Sequence, residues 1–411
     1  MRFVGLLGIL AILGIAYLLS TDRKAIKPRV VLWGLGFQLA LALFILKTTA
    51  GIALFKGLGD LVSQILHYSD DGASFIFGRL VTDMDAFGFI FAFKVLPAII
   101  FVGALMNIAY YLGIMQFVVS LVAKLMVKTL GTSGAESLSA VGTVFVGQSE
   151  APLLIKPYIP EMTRSELMAI MTGGMATIAG SVMAAYIGML GNEWAPHLLA
   201  ASIMGAPAGL VLAKIMVPET EEPKTQGEVK MEVEKTESSV VEAAAKGALD
   251  GMHLAFIVGA LLIAFIALIA LINGVLGNVK LGDTPLSMQL VLGYVFAPLT
   301  FLMGVPMEDV RTVGSLIGQK IVLNEFVAYS ELSNIIKGQL AGVTLTAKGT
   351  TIATFALCGF ANFSSIAINI GCIGGIAPER RGELAILGPR AMLAGALASC
   401  LTATIAGLLI A

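Results

Sequence analysis

Apolar residues run through this chain in long stretches, and the polar interruptions decide what each stretch becomes. Residues 2–20 and 30–47 are each about long enough to cross a bilayer, which takes ~20 apolar helical residues. Between them lies Thr21-Asp22-Arg23-Lys24-Ala25-Ile26-Lys27-Pro28-Arg29. So basic a short loop belongs in the cytoplasm, which puts the N-terminus outside. The first run has no small-residue cleavage site before the charged turn and reads as a retained span. In residues 51–68, Ile52, Phe55, Leu58, Val62, Ile65 and Leu66 recur at helical spacing opposite Lys56, Asp60 and Gln64. That predicts an amphipathic helix at the interface. Residues 88–113 predict the next crossing, with Lys94 snorkelling or paired locally. Residues 115–130 are again amphipathic, with Lys124 and Lys128 toward the cytoplasmic surface.

Residues 133–160 depart from this scheme. The apolar runs flanking Gly147-Gln148-Ser149-Glu150-Ala151-Pro152 are too short to cross singly, so they predict a re-entrant hairpin. Broken backbone at membrane depth is tolerated only where protein or a water-filled cavity surrounds it. Residues 165–190 and 196–217 predict two crossings. Residues 218–246 are polar and read as a cytoplasmic linker ending in a short surface helix. Residues 252–276 cross, and residues 286–304, with Pro298, Gly304 and Pro306, predict an interfacial or partly inserted helix. Residues 313–340 repeat the hairpin pattern around Asn324-Glu325. Residues 350–375 cross with an interruption at Asn362-Phe363-Ser364-Ser365, and 383–411 make the last crossing after the basic loop Pro378-Glu379-Arg380-Arg381-Gly382. The expected fold is an all-α polytopic membrane protein with eight crossings and two hairpins, every basic loop lying on one side. Its expected divisions are 1–130 (first span and scaffold with interfacial helices), 131–217 (first transport repeat), 218–250 (linker and surface helix), 251–305 (scaffold span and interfacial helix) and 306–411 (second transport repeat).

Composition agrees. The 411 residues are 57% hydrophobic and 13% charged, against about 25% charged in soluble domains. A net charge of −1 without a basic patch gives no reason to expect a nucleic-acid partner. Cys358, Cys372 and Cys400 all fall in apolar runs and read as buried thiols outside any disulfide framework. His67, His197 and His253 are scattered and match no metal or catalytic spacing. Neither a paired-Asp motif nor a nucleophile–base pair is present, which argues against an intramembrane enzyme. So small an extramembrane fraction favours a transporter or channel over a receptor.

A short internal match then links the two hairpins. Gly173-Gly174-Met175-Ala176-Thr177-Ile178-Ala179-Gly180-Ser181 resembles Cys358-Gly359-Phe360-Ala361-Asn362-Phe363-Ser364-Ser365-Ile366, pairing Gly174 with Gly359 and Thr177 with Asn362. Each stretch follows a Glu-bearing hairpin. The order hairpin, span, span occurs twice, separated by one extra crossing, so the second copy is inverted. Inverted repeats with broken helices and a midplane site mark secondary transporters. An ionisable group at the bilayer centre costs roughly 2.5–3.5 kcal/mol on insertion scales, so Glu150 and Glu325 read as working residues or as members of buried pairs. Gln148 offers donors and acceptors, Ser149 a hydroxyl, and the two glutamates acceptors. Oxygens of Thr143, Val146, Thr177 and Ile178 could hold a small cation. Neither hairpin tip carries an arginine, so a neutral substrate rich in hydroxyls and amides fits better than a large anion. Structural readings stand beside these: Asn362 as a helix cap, Thr177 and Ser181 bonded back to their own helix, and Gly173 and Gly174 as packing residues.

Gly147-Gln148-Ser149-Glu150-Ala151-Pro152, Asn324-Glu325-Phe326-Val327-Ala328-Tyr329 and Cys358-Gly359-Phe360-Ala361-Asn362-Phe363-Ser364-Ser365 together resemble the concentrative nucleoside transporters. The resemblance implies a homotrimer of eight spans, three interfacial helices and two re-entrant hairpins in the cytoplasmic (inner) membrane. It implies cation-driven nucleoside uptake by an elevator motion. The first hairpin and its following span would face the nucleobase through Gln148, Ser149, Glu150 and Val182. The second would face the ribose through Glu325, Asn362 and Ser365, with Phe360 nearby. Two positions depart from the family pattern: Ser149 stands where Thr is usual, and Thr143 where sodium-coupled members have Asn. The sodium contacts at Val146, Thr177 and Ile178 are retained. Sodium is the expected coupling ion, with a proton taken by Glu150 as the alternative. Expected partners are the nucleoside, the coupling cation, membrane lipid and two further copies of the chain, with no organic cofactor. An elevator-type carrier for another small polar solute is the competing reading. The moving body is expected to be residues 133–217 and 313–411, set against 30–130 and 252–304.

Overall fold

The computed structural model describes residues 2–227, 237–281 and 284–410. It opens with α1 (Arg2–Leu18), α2 (Pro28–Lys47) and α3 (Thr49–Phe77), then three single turns, α4 (Arg79–Thr82), α5 (Met84–Phe87) and α6 (Phe91–Lys94). Next come α7 (Leu96–Tyr111) and α8 (Ile114–Leu130). The first hairpin pairs α9 (Gly134–Val146) with a 3-10 limb, Ala151–Glu161, and leads to α10 (Arg164–Ala176), α11 (Gly180–Leu190) and α12 (Ala195–Met216). After α13 (Val240–Leu276), a two-residue ladder (β1, Lys280–Leu281; β2, Thr284–Pro285) and α14 (Met288–Leu302), the second hairpin pairs α15 (Val310–Val322) with α16 (Glu325–Ile336). The chain finishes with α17 (Ala347–Leu357), α18 (Phe363–Ile376) and α19 (Arg381–Leu409).

Among the described residues, six helical stretches are long and apolar enough to cross a membrane: Pro28–Lys47, Phe91–Tyr111, Arg164–Leu190, Asn192–Met216, Val240–Leu276 and Pro378–Leu409. Their burial separates an inner from an outer group. The windows within Arg164–Leu190 and Asn192–Met216 are 89% buried, whereas that of Val240–Leu276 is 22% buried. A helix as apolar as α13 that leaves Phe256, Ile263 and Leu271 open has no water-facing side and suits contact with lipid or another apolar surface. It packs tightly on α7, where a Cβ on Gly251 would fall 2.7 Å from the Ile100 Cα. Small residues let two backbones approach this closely.

The two halves of the inner group are laced together. Arg380, before α19, donates to the Pro160 and Met162 carbonyls at the exit of the first hairpin, at 3.0 and 2.8 Å. Lys337, after the second hairpin, donates to the Met189 carbonyl of α11 at 2.7 Å. Helix ends leave carbonyls unpaired, and a cation there satisfies them and complements the helix dipole. At the base of the first hairpin two capping boxes interlock. Ser133 and Glu136 cap α9, Thr163 and Glu166 cap α10, and the Ser133 hydroxyl donates to Glu166 at 2.5 Å. Lys214, 6% exposed at the end of α12, lies 2.7 Å from Glu136 and 3.2 Å from Glu219.

Several expectations change in detail. The surface helix expected at the end of the linker is the first part of α13, a single helix of 37 residues, because Ser239 caps it well before the apolar run begins. Residues 228–236 of the linker lie outside the described residues. Just before them, the Thr225 carbonyl accepts from the Gly134 amide at 2.9 Å, which straps the linker to the first hairpin. The helix expected over 51–68 continues to Phe77, ending where Gly78 takes a φ of 57°. The outgoing limb of the first hairpin is 3-10, since Pro152, Pro157 and Pro160 remove the amides an α-helix needs. Lys94 pairs locally, 3.4 Å from Asp70.

The internal match also shifts in register. Gly174 is helical and Thr177 opens a break of three residues, whereas Gly359 lies inside a break of five that Asn362 closes as the cap of α18. The residue types agree, but their places in the backbone do not.

Candidate functional site

Four interruptions of regular structure converge: the two hairpin tips and the breaks between α10 and α11 and between α17 and α18. At the first tip Gly147 takes a φ of 84° and turns the chain, a conformation glycine adopts without strain. The turn delivers Gln148 inward. Its Nε2 donates to the Ser365 hydroxyl at 3.0 Å, and its Oε1 accepts from Asn369 Nδ2 at 2.9 Å. Gly174 makes this seat: a Cβ there would fall 2.7 Å from the Gln148 Cβ. Ser149 and Glu150 follow Gln148 but remain open to the surroundings.

At the second tip Asn324 caps α16, its Oδ1 accepting from the Val327 amide at 3.0 Å, while its Nδ2 is buried and unpartnered. Glu325 is 3% exposed. One carboxylate oxygen accepts from the Tyr186 hydroxyl of α11 at 3.0 Å, the other from Asn362 Nδ2 at 2.8 Å. Asn362 also caps α18: its Oδ1 accepts from the Ser365 amide at 3.0 Å and the Ser364 hydroxyl at 2.7 Å. The cap and the binding role expected of Asn362 are therefore compatible, because different atoms serve them. Tyr186 stacks on Tyr329 at 4.4 Å and meets Phe326 edge-on at 4.8 Å, which fixes the hydroxyl that reaches Glu325. Val182 and Phe360 are buried, the former in the first turn of α11 and the latter in the α17–α18 break.

The candidate cation oxygens gather at the first tip and the α10 break. The Thr143 hydroxyl donates to the Ala140 carbonyl at 2.9 Å, and that of Thr177 to the Gly173 carbonyl at 3.0 Å. Each has spent its proton on its own helix, which leaves oxygen lone pairs as its remaining capacity. The Ile178 carbonyl accepts one bond, from Ser202 at 3.2 Å, and keeps a second lone pair. Val146 closes α9, where carbonyls lack intrahelical partners. Among the described residues no group of three or more His, Cys, Asp or Glu could hold a metal ion; the oxygens named here belong to neutral groups.

Residues 197–407 match the family described as "Na+ dependent nucleoside transporter C-terminus", residues 7–80 its N-terminus, and residues 92–193 the family described as "Gate: Nucleoside recognition". This chain belongs to the Na+ dependent nucleoside transporter family. An uncharacterized transporter of Haemophilus influenzae is 49% identical over 98% of this chain and 97% of its own. The Mus musculus sodium/nucleoside cotransporter 1 is 43% identical over 99% of this chain and 64% of its own. The solved structure of CNTnw in an inward-facing substrate-bound state superposes with a TM-score of 0.93 at 44% identity, over 100% of this chain and 99% of that one.

Tyr186 and Asn369, which hydrogen-bond to the candidate residues Glu325 and Gln148, are partners that sequence reasoning passed over. Asn369 carried a signal, a lone amide between Ile368 and Ile370. Tyr186 carried little, since a tyrosine in an apolar helix is ordinary until its partner is known.

Proposed function

We propose that this protein is a cation-coupled nucleoside symporter of the cytoplasmic membrane. The observation that carries the reading is the pair of buried, neutral-donor chains Tyr186–Glu325–Asn362 and Asn369–Gln148–Ser365, which join both hairpins to both broken spans without an arginine. Ribose hydroxyls would donate to Glu325 and accept from Asn362, with Ser365 and Phe360 beside them. The nucleobase would lie against Gln148, Ser149, Glu150 and Val182. Hydrogen bonds to an ionised carboxylate are the stronger kind, so the ribose half supplies most of the polar affinity. Sodium would bind the oxygens of Thr143, Val146, Thr177 and Ile178. Coupling binding at the tip to closure of the hairpin is the physical role of that ion.

Transport would follow an elevator motion of the hairpin-bearing body within a homotrimer, the N-terminus lying outside. Backbone contact between α14 and α15 supports carrying α14 with the moving body, where sequence alone had set it in the scaffold: a Cβ on Gly293 would fall 2.8 Å from the Arg311 carbonyl, and one on Gly314 2.9 Å from the Gly293 carbonyl. The deciding experiment is uridine uptake into proteoliposomes under a sodium gradient and, separately, a proton gradient. Sodium-driven uptake is expected. Uptake with protons alone would move the coupling to Glu150, and failure with uridine and with purine nucleosides under both gradients would remove the nucleoside reading.

A further inference from the structure

The second half of the site contains a buried lysine. Lys320 lies in the last turn of α15 and is 1% exposed. Its Nζ donates to the Ala356 carbonyl at 2.9 Å and the Ser399 hydroxyl at 2.8 Å. Ala356 is the penultimate residue of α17, so its carbonyl belongs to the unpaired set at the negative end of a half-helix. Ser399 passes its own proton to the Gly395 carbonyl at 3.0 Å and so presents lone pairs to the ammonium.

Glu325, five residues along the same hairpin, mirrors this arrangement. It too is buried, and both its oxygens are held by neutral donors, Tyr186 and Asn362. A buried amine and a buried carboxyl thus stand five residues apart in one hairpin, each hydrogen-bonded to neutral groups. Burying an uncompensated charge costs several kcal/mol, so each needs the other. A contact pair would occupy a carboxylate oxygen; a separated pair leaves the Glu325 lone pairs for a ligand. The first half differs: its buried lysine, Lys214, contacts Glu136 directly at the base of the hairpin. α9 carries no basic residue, and neutral oxygens gather there instead.

We propose that Lys320 is the fixed counter-charge of the second half. It balances Glu325 and anchors the end of α17, which positions the break bearing Phe360 and Asn362 without a diffusible ion. Lys320 is a positioning residue, since it acts on the ligand only through Glu325 and the break. The part of this inference that concerns ligand binding rests on the nucleoside reading; the charge balance does not.

The test has two arms on the full-length protein purified in detergent. Thermal unfolding of wild type, K320M, E325Q and K320M/E325Q reads the charge balance. A fixed counter-charge predicts that K320M lowers the midpoint by about 5 °C or more and that adding E325Q restores most of the loss. Losses that simply add, or a K320M midpoint equal to wild type, overturn it. Uridine titration of K320A reads the positioning. Affinity should fall by about tenfold or more and recover with propylammonium but not with 1-propanol. Equal recovery with both compounds would reduce the lysine to a space-filler and overturn the proposal. Should wild type bind no nucleoside, the functional reading falls, while the unfolding cycle still decides the charge balance.

Discussion

Glu325 has its two oxygens held by Tyr186 and Asn362, so its acceptor capacity is aimed before any ligand arrives. Replacing it with glutamine turns one acceptor into a donor facing a donor. Hydrogen bonds to charged groups contribute roughly 1.5–3 kcal/mol, so E325Q should weaken uridine binding by roughly ten- to a hundredfold. Isothermal titration would measure this. The same titration with 3′-deoxyuridine should show a much smaller further loss in E325Q than in wild type, because the partner is already gone. Undiminished sensitivity to the missing hydroxyl would place the ribose elsewhere. The sequence singled out Gln148, Glu325 and Asn362 as candidates because polar groups stand out sharply in apolar runs, and the structure places them at the two tips and the second break. Lys320 stood in such a run as well, but its role depends on the Ala356 and Ser399 oxygens it meets, 36 and 79 residues away.

At the scale of elements, the first tip depends on how closely it can approach α10. Because a Cβ at Gly174 would stand 2.7 Å from that of Gln148, G174A should displace the tip. Nucleoside affinity should then fall more than thermal stability does, since overpacking costs about 1–3 kcal/mol and shifting the tip to relieve it breaks the Gln148 bonds to Ser365 and Asn369. Parallel uridine titration and thermal unfolding would check this; an unfolded variant with normal residual affinity would contradict it. The base of the same hairpin behaves in the opposite way. Lys214 holds Glu136 and Glu219 in a buried cluster, and breaking a buried pair by removing one partner costs about 3–5 kcal/mol. K214M should therefore lower the unfolding midpoint markedly, while the protein that remains folded binds uridine as wild type does. The hairpins themselves were legible because neither limb is long enough to cross. Their internal geometry was less so: prolines turned one limb into a 3-10 helix while the other stayed α-helical.

For the whole molecule, the elevator reading requires the inner body to slide past α7 and α13. An ideal Cβ on Gly188 of α11 lies 3.3 Å from Val95 Cγ2, beside α7, within reach of a disulfide. The pair V95C/G188C, in a background lacking Cys358, Cys372 and Cys400, should form a crosslink that abolishes uptake and preserves uridine binding. Reduction should restore uptake. Full transport after complete crosslinking would sink the motion.

The sequence by itself determined the solvent. Its 57% hydrophobic content and helix-length apolar runs leave a membrane-embedded helical protein as the physical outcome, because every backbone amide must be satisfied within the segment. It also marked the sites of interruption, since a Glu or Asn in such a run is too costly to be incidental. The tertiary structure alone decided which interruptions meet. Tyr186 reaches across 139 residues to Glu325, and Asn369 across 221 to Gln148. The structure likewise set the register of the two breaks and the continuity of α13, because hydrogen-bond partners and helix ends depend on packing and caps that no single run contains.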